Sequence, residues 1–130
     1  MPSVHIDNVG DMTIIECAGR FVRHAAAFKL QEAVTSQADA NVIVLDLTEM
    51  HAIGGGGLGM LVLLQRWAKD HNIRFKVFNP SMPVRDKLKH VDFEFATLEQ
   101  MMSHLSRVDS QYARALSESQ FPLHQLSQYA

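Results

Sequence analysis

Residues 41–64 read NVIVLDLTEMHAIGGGGLGMLVLL and join an aliphatic run, four consecutive glycines and a long apolar segment. The run Asn41 to Leu47 is nearly continuous in β-branched and aliphatic residues, which is typical of a strand covered on both faces within a parallel sheet. The pattern predicts a helix from Leu58 to about His71 and a further strand over Ile73 to Phe78. Strand, helix and strand form a βαβ unit, so this region predicts a central pair of parallel strands.

The N-terminal part of the chain predicts a β-hairpin and an amphipathic helix. An extended piece around Val4 to Val9 should pair with a strand over residues 12–18, which Gly19 is expected to end. The turn between them, Asn8-Val9-Gly10-Asp11, is built from residues that tolerate a tight reversal. From His24 to about Ala38 there is no Gly or Pro, and apolar residues recur at helical spacing.

Two short helices and an edge strand are expected further along the chain. Prolines follow Phe78 and end its strand, and Ser81 is well placed to cap a helix that runs to His90. A brief edge strand is expected near Phe93 to Phe95. Thr97 and Gln100 have the spacing of a capping box. The helix behind them should bury an apolar stripe. That stripe consists of Leu98, Met101, Met102 and Leu105.

Composition and charge restrict the class of protein. The length of 130 residues favours one domain, and 47% hydrophobic with 20% charged residues is typical of a globular chain. The net charge of −2 and scattered basic residues disfavour nucleic-acid binding. Apolar runs fall short of the roughly 20 residues that a membrane-spanning helix needs, so no membrane insertion is expected. The first residues resemble no leader, and Cys17 has no disulfide partner, so we expect a cytoplasmic protein.

The glycine segment has two possible explanations. Its backbone could approach an anion at the start of the following helix. However, a P-loop would continue with Gly-Lys and then Ser or Thr, whereas Leu58 and Gly59 follow Gly57. A dinucleotide fingerprint would need an acidic residue about 20 positions further on, where Ile73 to Phe78 lies. The favoured interpretation is a turn that needs unusual backbone angles.

The helix after the glycines carries two apolar stripes, about 100° apart. The first consists of Leu61, Leu64 and Ala68. The second consists of Met60, Leu63 and Trp67. Either a wide contact buries both stripes, or the second is exposed beside the glycines as a docking patch. The sequence leaves these two alternatives open.

No pattern in the chain indicates catalysis or metal binding. The seven histidines are dispersed, and none has a second ligand at a metal-binding spacing. Cys17 lies within a predicted strand and is interpreted as a small buried hydrophobe. No serine, threonine or cysteine has the context of a nucleophile elbow. We therefore expect no catalytic residue, no metal and no cofactor.

Three segments carry a resemblance to a known family. They are VLDLTEM at 44–50, GLGML at 57–61 and FNPSMPVR at 78–85. Their order and spacing are similar to those of the STAS domain family, whose type members are bacterial anti-sigma factor antagonists. The resemblance covers roughly residues 4–107 and implies one STAS-like α/β domain over residues 1–107, with a mixed sheet of four or five strands and about four helices. Residues 108–130 would form an extension that packs on its own domain or on a neighbouring copy in a homodimer.

The resemblance also implies where a partner binds. In typical antagonists the glycine segment reads Asp-Ser-Ser-Gly-Leu-Gly, and the second serine is phosphorylated. The matching residues here are Gly54 to Gly59, so Gly56 replaces the phosphoacceptor and Gly54 replaces the carboxylate. The implied docking surface for a kinase-type anti-sigma factor consists of Ala52, Ile53, Gly54, Gly55, Gly56, Gly57, Leu58, Met60, Leu63 and Trp67.

The leading hypothesis is a non-catalytic interaction module that binds a histidine-kinase-like ATPase. This resembles partner switching in the regulation of bacterial transcription, but the protein would lack the phosphorylation that acts as the switch. Regulation would then depend on abundance, on another residue such as Thr48, or on the tail. One alternative is a STAS accessory subunit of a lipid-transport ATP-binding cassette system or a stress-signalling scaffold. A weaker alternative is a nucleotide- or anion-binding protein that uses the glycine segment.

Overall fold

The computed structural model of the chain describes residues 2–107, with side chains to residue 102. This part contains six strands and four helices. The strands are β1 (Ser3–Val9), β2 (Met12–Phe21), β3 (Val42–Asp46), β4 (Met50–Ile53), β5 (Arg74–Phe78) and β6 (Glu94–Phe95). The helices are α1 (His24–Thr35), α2 (Gly55–Asp70), α3 (Met82–Leu88) and α4 (Leu98–Arg107). The predicted tail over residues 108–130 lies outside the described residues.

The strands form one mixed sheet in the order β1-β2-β3-β5-β6, and β4 pairs with β2 beyond that path. The β1–β2 pair is antiparallel, and all the other pairs are parallel. Strand β3 lies in the middle and pairs with β2 and β5, as the predicted βαβ unit requires. The predicted fold class is therefore confirmed, although the sheet has six strands where four or five were expected.

The N-terminal hairpin is confirmed. Val9 lies opposite Met12, so the connection consists of Gly10 and Asp11 alone. Gly10 has a φ of 67°, a backbone conformation that glycine adopts without steric cost. The positive φ matches the sharp reversal that a two-residue hairpin turn demands.

The prediction that Gly19 ends the second strand is wrong. Strand β2 continues to Phe21, with an irregularity in register between Gly19 and Arg20. Gly19 has a φ of 98°, so it can bend the strand where most residues could not. Beyond the bend β2 leaves β3 and pairs with β4, which the sequence did not predict.

Two helix boundaries differ from those predicted. Helix α1 ends at Thr35, and α2 begins at Gly55, three residues before the predicted start at Leu58. The amide of Leu58 donates to the carbonyl of Gly54 at 2.9 Å, which closes the first turn of α2 through the glycines. The glycine segment is therefore helical.

The C-terminal helices confirm one capping prediction and correct another. The backbone amide of Gln100 donates to the hydroxyl of Thr97, and the Thr97 amide donates to the Gln100 side chain, so the capping box is present. Ser81 occupies the N-cap position of α3, but its hydroxyl donates to the carbonyl of Met50 instead of capping the helix. Helix α3 ends at Leu88, before the predicted His90.

The central strand is buried on both faces. Ile43 and Leu45 belong to the larger core cluster, together with Leu30 of α1 and Leu61 of α2. Val44 faces the other side and belongs to a smaller cluster. Alternate residues of β3 thus point into two separate cores, which explains the nearly continuous aliphatic run in the sequence.

Helix α4 buries less of its predicted stripe than expected. Met101 is buried in the smaller cluster. Leu98 and Met102, however, are both exposed. Leu105 lies beyond the described side chains. The capping box positions α4, but within the described residues only one of the stripe's side chains packs fully.

Candidate interaction surface

The glycine segment is held at the end of β2. Strand β4 ends at Ile53, and Gly54 occupies the N-cap of α2 with extended angles, φ −92° and ψ 179°. Its amide donates to the carbonyl of Phe21, the last residue of β2, at 2.9 Å. The start of α2 is therefore anchored to the sheet by one backbone hydrogen bond, because β2 continues past Gly19 far enough to reach it.

The expectation that these glycines serve a turn with unusual backbone angles is wrong. Within the part of the chain that the structure describes, the glycines with positive φ are Gly10 and Gly19. Gly55 to Gly57 are helical, and Gly54 is extended. Since any residue can adopt these angles, backbone conformation does not explain the four glycines.

Steric space divides the four glycines into two kinds. A Cβ atom at Gly57 would lie 2.8 Å from Cγ1 of Ile53 and 2.8 Å from the carbonyl oxygen of Phe21, so no side chain fits there without a backbone shift. At Gly54 a Cβ would lie 3.3 Å from Cα of Val22, which is tight. At Gly55 and Gly56 a Cβ would meet no atom within 4 Å. Gly56, the position that the resemblance equates with the phosphoacceptor, is therefore open, and packing does not exclude a serine there.

The two stripes of α2 differ in burial. Leu61, Leu64 and Ala68 are buried, as a sheet-facing stripe should be. In the second stripe, Leu63 is 57% exposed. Met60 and Trp67 are half-buried and pack against the larger core cluster. The structure therefore matches neither alternative fully: the second stripe is partly packed and partly open.

The remaining residues of the predicted surface have mixed exposure. Ile53 is buried, and Ala52 and Leu58 are half-buried. The Trp67 ring stacks on His71, with ring centroids 4.4 Å apart. Gly55, Gly56 and Leu63 thus supply the open part of the predicted set, and the buried members support it from below.

Two side chains that the sequence did not single out lie against the glycine segment. Val22 follows β2, contacts the Gly54 position and is 48% exposed. Lys87 of α3 donates from Nζ to the carbonyl of Ile53 at 2.9 Å. Both reach the site through tertiary contacts across long sequence separations, so spacing along the chain could not reveal them.

The hydroxyls of Thr48 and Ser81 are both hydrogen-bonded. Thr48 donates to Oδ1 of Asp46 at 2.6 Å and accepts from Nδ2 of Asn79 at 3.1 Å. The Ser81 hydroxyl donates to the Met50 carbonyl at 2.9 Å. A kinase would have to break these bonds to reach either oxygen.

Acidic side chains gather elsewhere in the molecule. Burial raises the pKa of Glu16 above its ordinary value, and the nearby carboxylates of Asp7 and Asp46 raise it further. Glu16 lies between Ile15 and Cys17, which point into the larger core, so its side chain lies on the opposite face of the sheet from α2. Burial, with smaller contributions from Asp46 and Glu16, also raises the pKa of Cys17 to about 12, and this thiol is buried as predicted.

Residues 2–107 contain no group of three or more histidine, cysteine, aspartate or glutamate side chains arranged to hold a metal ion. Among the helices of the same residues, none combines the length and the apolar character needed to cross a membrane.

The family comparison agrees with the fold and with the quoted motifs. The STAS domain family model matches residues 3–101, so the chain belongs to the STAS domain family. A sequence search among curated proteins finds no significant match.

Solved structures with the same fold include several anti-sigma factor antagonists. The unphosphorylated form of the anti-sigma factor antagonist SpoIIAA has a TM-score of 0.63 at 16% identity, covering 80% of this chain and 98% of its own. The phosphorylated form of SpoIIAA, a Bacillus cell fate determinant, has a TM-score of 0.63 at 16% identity, with 79% and 99% covered. An anti-sigma factor antagonist from Mycobacterium paratuberculosis has a TM-score of 0.64 at 16% identity, with 83% and 94% covered. At this identity the similarity establishes a shared fold.

Proposed function

We propose that this protein is a non-catalytic interaction module that binds a kinase-type anti-sigma factor in the cytoplasm. The contact surface is the first turn of α2 and the open side of that helix, from Gly54 to Leu63. Membership of the STAS family and a fold shared with anti-sigma factor antagonists support the class of partner. The observation that carries the proposal is an exposed helical turn anchored at 2.9 Å to the end of β2, with Leu63 open beside it.

Binding at this surface is constitutive in our proposal. A phosphoserine carries between one and two negative charges at neutral pH and can abolish docking through repulsion and desolvation. Gly56 has no hydroxyl to receive the phosphate, although the space around it would admit one. The hydroxyls of Thr48 and Ser81 are engaged with neighbouring groups. Control over the partner would then rest on the amount of each protein.

Replacement of Leu63 tests the proposed contact. Leu63→Asp places a charge on the open side of α2 and should weaken binding by about tenfold or more, because burying an unpaired carboxylate at an interface is unfavourable. Calorimetric titration against each purified histidine-kinase-like anti-sigma factor from the same genome measures this loss. The matched control is Leu98→Asp on α4, another exposed leucine, which should bind as the wild type does.

Two outcomes of that titration would contradict the proposal. In the first, the wild-type protein binds none of the anti-sigma factors. In the second, Leu63→Asp binds with wild-type affinity while its thermal unfolding is also unchanged. A Leu63→Asp variant that loses binding and keeps its melting temperature supports the contact, because the fold then survives the substitution.

A further inference from the structure

Beyond the proposed function, and resting on it, we propose that the partner presents an acidic surface to this protein. Three exposed cationic residues, Arg20, Arg23 and Lys87, lie on segments that adjoin the glycine turn. Each comes from a different element or its end: β2, the residue before α1, and α3. Their convergence is a property of the folded chain.

The backbone of Arg20 and Arg23 lies near the turn, and a side-chain hydrogen bond brings Lys87 to it. Arg20 is paired in register with Ala52, two residues before Gly54. Arg23 follows Val22, whose Cα lies 3.3 Å from the Cβ position of Gly54. Lys87 reaches the carbonyl of Ile53 with its Nζ at 2.9 Å. The Lys87 ammonium therefore lies beside the residue that immediately precedes the turn.

No carboxylate among the described residues neutralises these cations. The ion pairs of residues 2–102 join His5 to Asp7, Arg74 and Lys76 to Glu94, and Lys89 to Asp86. The last pair occupies the carboxylate adjacent to Lys87 in the sequence. Arg20, Arg23 and Lys87 thus form no ion pair within the described part of the protein.

Acidic residues are absent from the two sequence segments that adjoin the turn, although Glu49 directly precedes the second segment and Asp86 directly precedes Lys87. Residues 17–31 and 50–69 contain no Asp or Glu, although the whole chain has 14 acidic and 12 basic side chains. The first turns of α1 and α2 consequently lack the acidic residues that often occupy helix N-termini. The proposed contact surface itself is uncharged, and the charged groups at its border are cationic, while the protein as a whole has a net charge of −2.

A surface of this kind fits an acidic protein partner. Opposite charges across an interface accelerate encounter and make association depend on salt, and replacement of a charge at the rim mainly changes the association rate. We therefore expect charge reversal here to impair binding.

The experiment compares charge reversal near the turn with charge reversal far from it. Arg23→Glu should slow association with the anti-sigma factor by about tenfold in low salt and flatten the dependence of the association rate on NaCl concentration. Lys69→Glu, in the last turn of α2, is the matched control. It should leave both the association rate and its dependence on NaCl concentration unchanged. Lys87→Met serves as a second variant, because it removes the ammonium without introducing a carboxylate beside Ile53.

The outcomes separate this inference from the function on which it rests. If the wild type binds no anti-sigma factor at any salt concentration, both proposals fail. If it binds, and Leu63→Asp abolishes binding, but neither salt nor Arg23→Glu alters the association rate, the acidic-partner inference alone is overturned. It is likewise overturned if Arg23→Glu accelerates association, or if the cations bind duplex DNA in preference to the protein.

Discussion

The two halves of the glycine turn differ in what they allow. Gly57 points into the protein, where a Cβ would lie 2.8 Å from Ile53 and from the Phe21 carbonyl oxygen. Gly55 and Gly56 point into open space. Of these three positions, only Gly57 therefore requires glycine for steric reasons. The difference teaches that the packing and hydrogen bonding that hold the turn do not depend on which side chain occupies position 56.

The largest effect is expected for Gly57→Ala. The added methyl group meets a backbone oxygen that cannot swing away, so α2 must shift relative to β2 and β4. Overpacking of this kind costs about 1–3 kcal/mol of the free energy of unfolding. Urea denaturation of the variant and the wild type measures the loss. An unchanged midpoint would show that the turn adjusts freely and would remove the distinction between the two halves.

Alanine substitutions at the open positions, Gly55 and Gly56, should stabilise the protein. Gly55→Ala and Gly56→Ala each restrict the unfolded chain and place a better helix former in α2, without any steric conflict. Each should raise the free energy of unfolding by about 0.5 kcal/mol. The same urea experiment checks this, with Gly57→Ala as the opposing control. Destabilisation by Gly56→Ala comparable to that of Gly57→Ala would contradict the assignment of Gly56 to open space.

A smaller effect is expected for the pH dependence of stability, which should change on substitution of Glu16 on the acidic face of the sheet but not on substitution in the glycine turn. The folded-state pKa of Glu16 is raised, so the folded protein favours the protonated form and loses stability as pH rises from about 4.5 through the raised pKa. Glu16→Gln removes that loss and should be more stable than the wild type at pH 7. Thermal melts from pH 4 to pH 7 should show this advantage growing with pH.

The pH experiment has a clear contrary result. If Glu16→Gln loses stability relative to the wild type as pH rises, then the carboxylate is stabilised by its surroundings and the sign of its pKa shift is wrong. Gly56→Ala provides the control, because it adds no titratable group and lies away from the acidic face. Its stability difference from the wild type should stay constant over the same pH range.

Local chemistry predicted the parts of the fold that depend on neighbouring residues. The hairpin follows from Gly10 and its flanking polar residues, and the start of α4 follows from Thr97 and Gln100. The burial of β3 on both faces follows from an aliphatic run without alternation. In each case a few adjacent side chains determine the conformation, so sequence patterns were sufficient.

The errors arise where distant segments decide the local structure. Strand β4 has only four residues, and it forms because Gly19 bends β2 toward it. Helix α2 begins within a run of poor helix formers, where the carbonyl of Phe21 accepts a hydrogen bond from the Gly54 amide. Such tertiary contacts override local propensity and leave no periodic signal.

The candidate site was predictable in part for the same reason. Gly56 was identified by its place in a family motif, and Leu63 by its place on a helix. Met60 and Trp67, on the same stripe, are half-buried because they pack against the core. The cations around the turn converge from three separate elements, so no spacing along the chain could have grouped them.

The most direct test of the central claim measures phosphate and binding together. Wild-type protein and Gly56→Ser are each incubated with the kinase-type anti-sigma factor and ATP, followed by intact mass spectrometry and titration. The account predicts that wild type gains no phosphate and keeps its affinity, whereas Gly56→Ser gains one phosphate at the introduced serine and loses affinity. Stoichiometric phosphate on wild type at Thr48 or Ser81, with loss of binding, would contradict it.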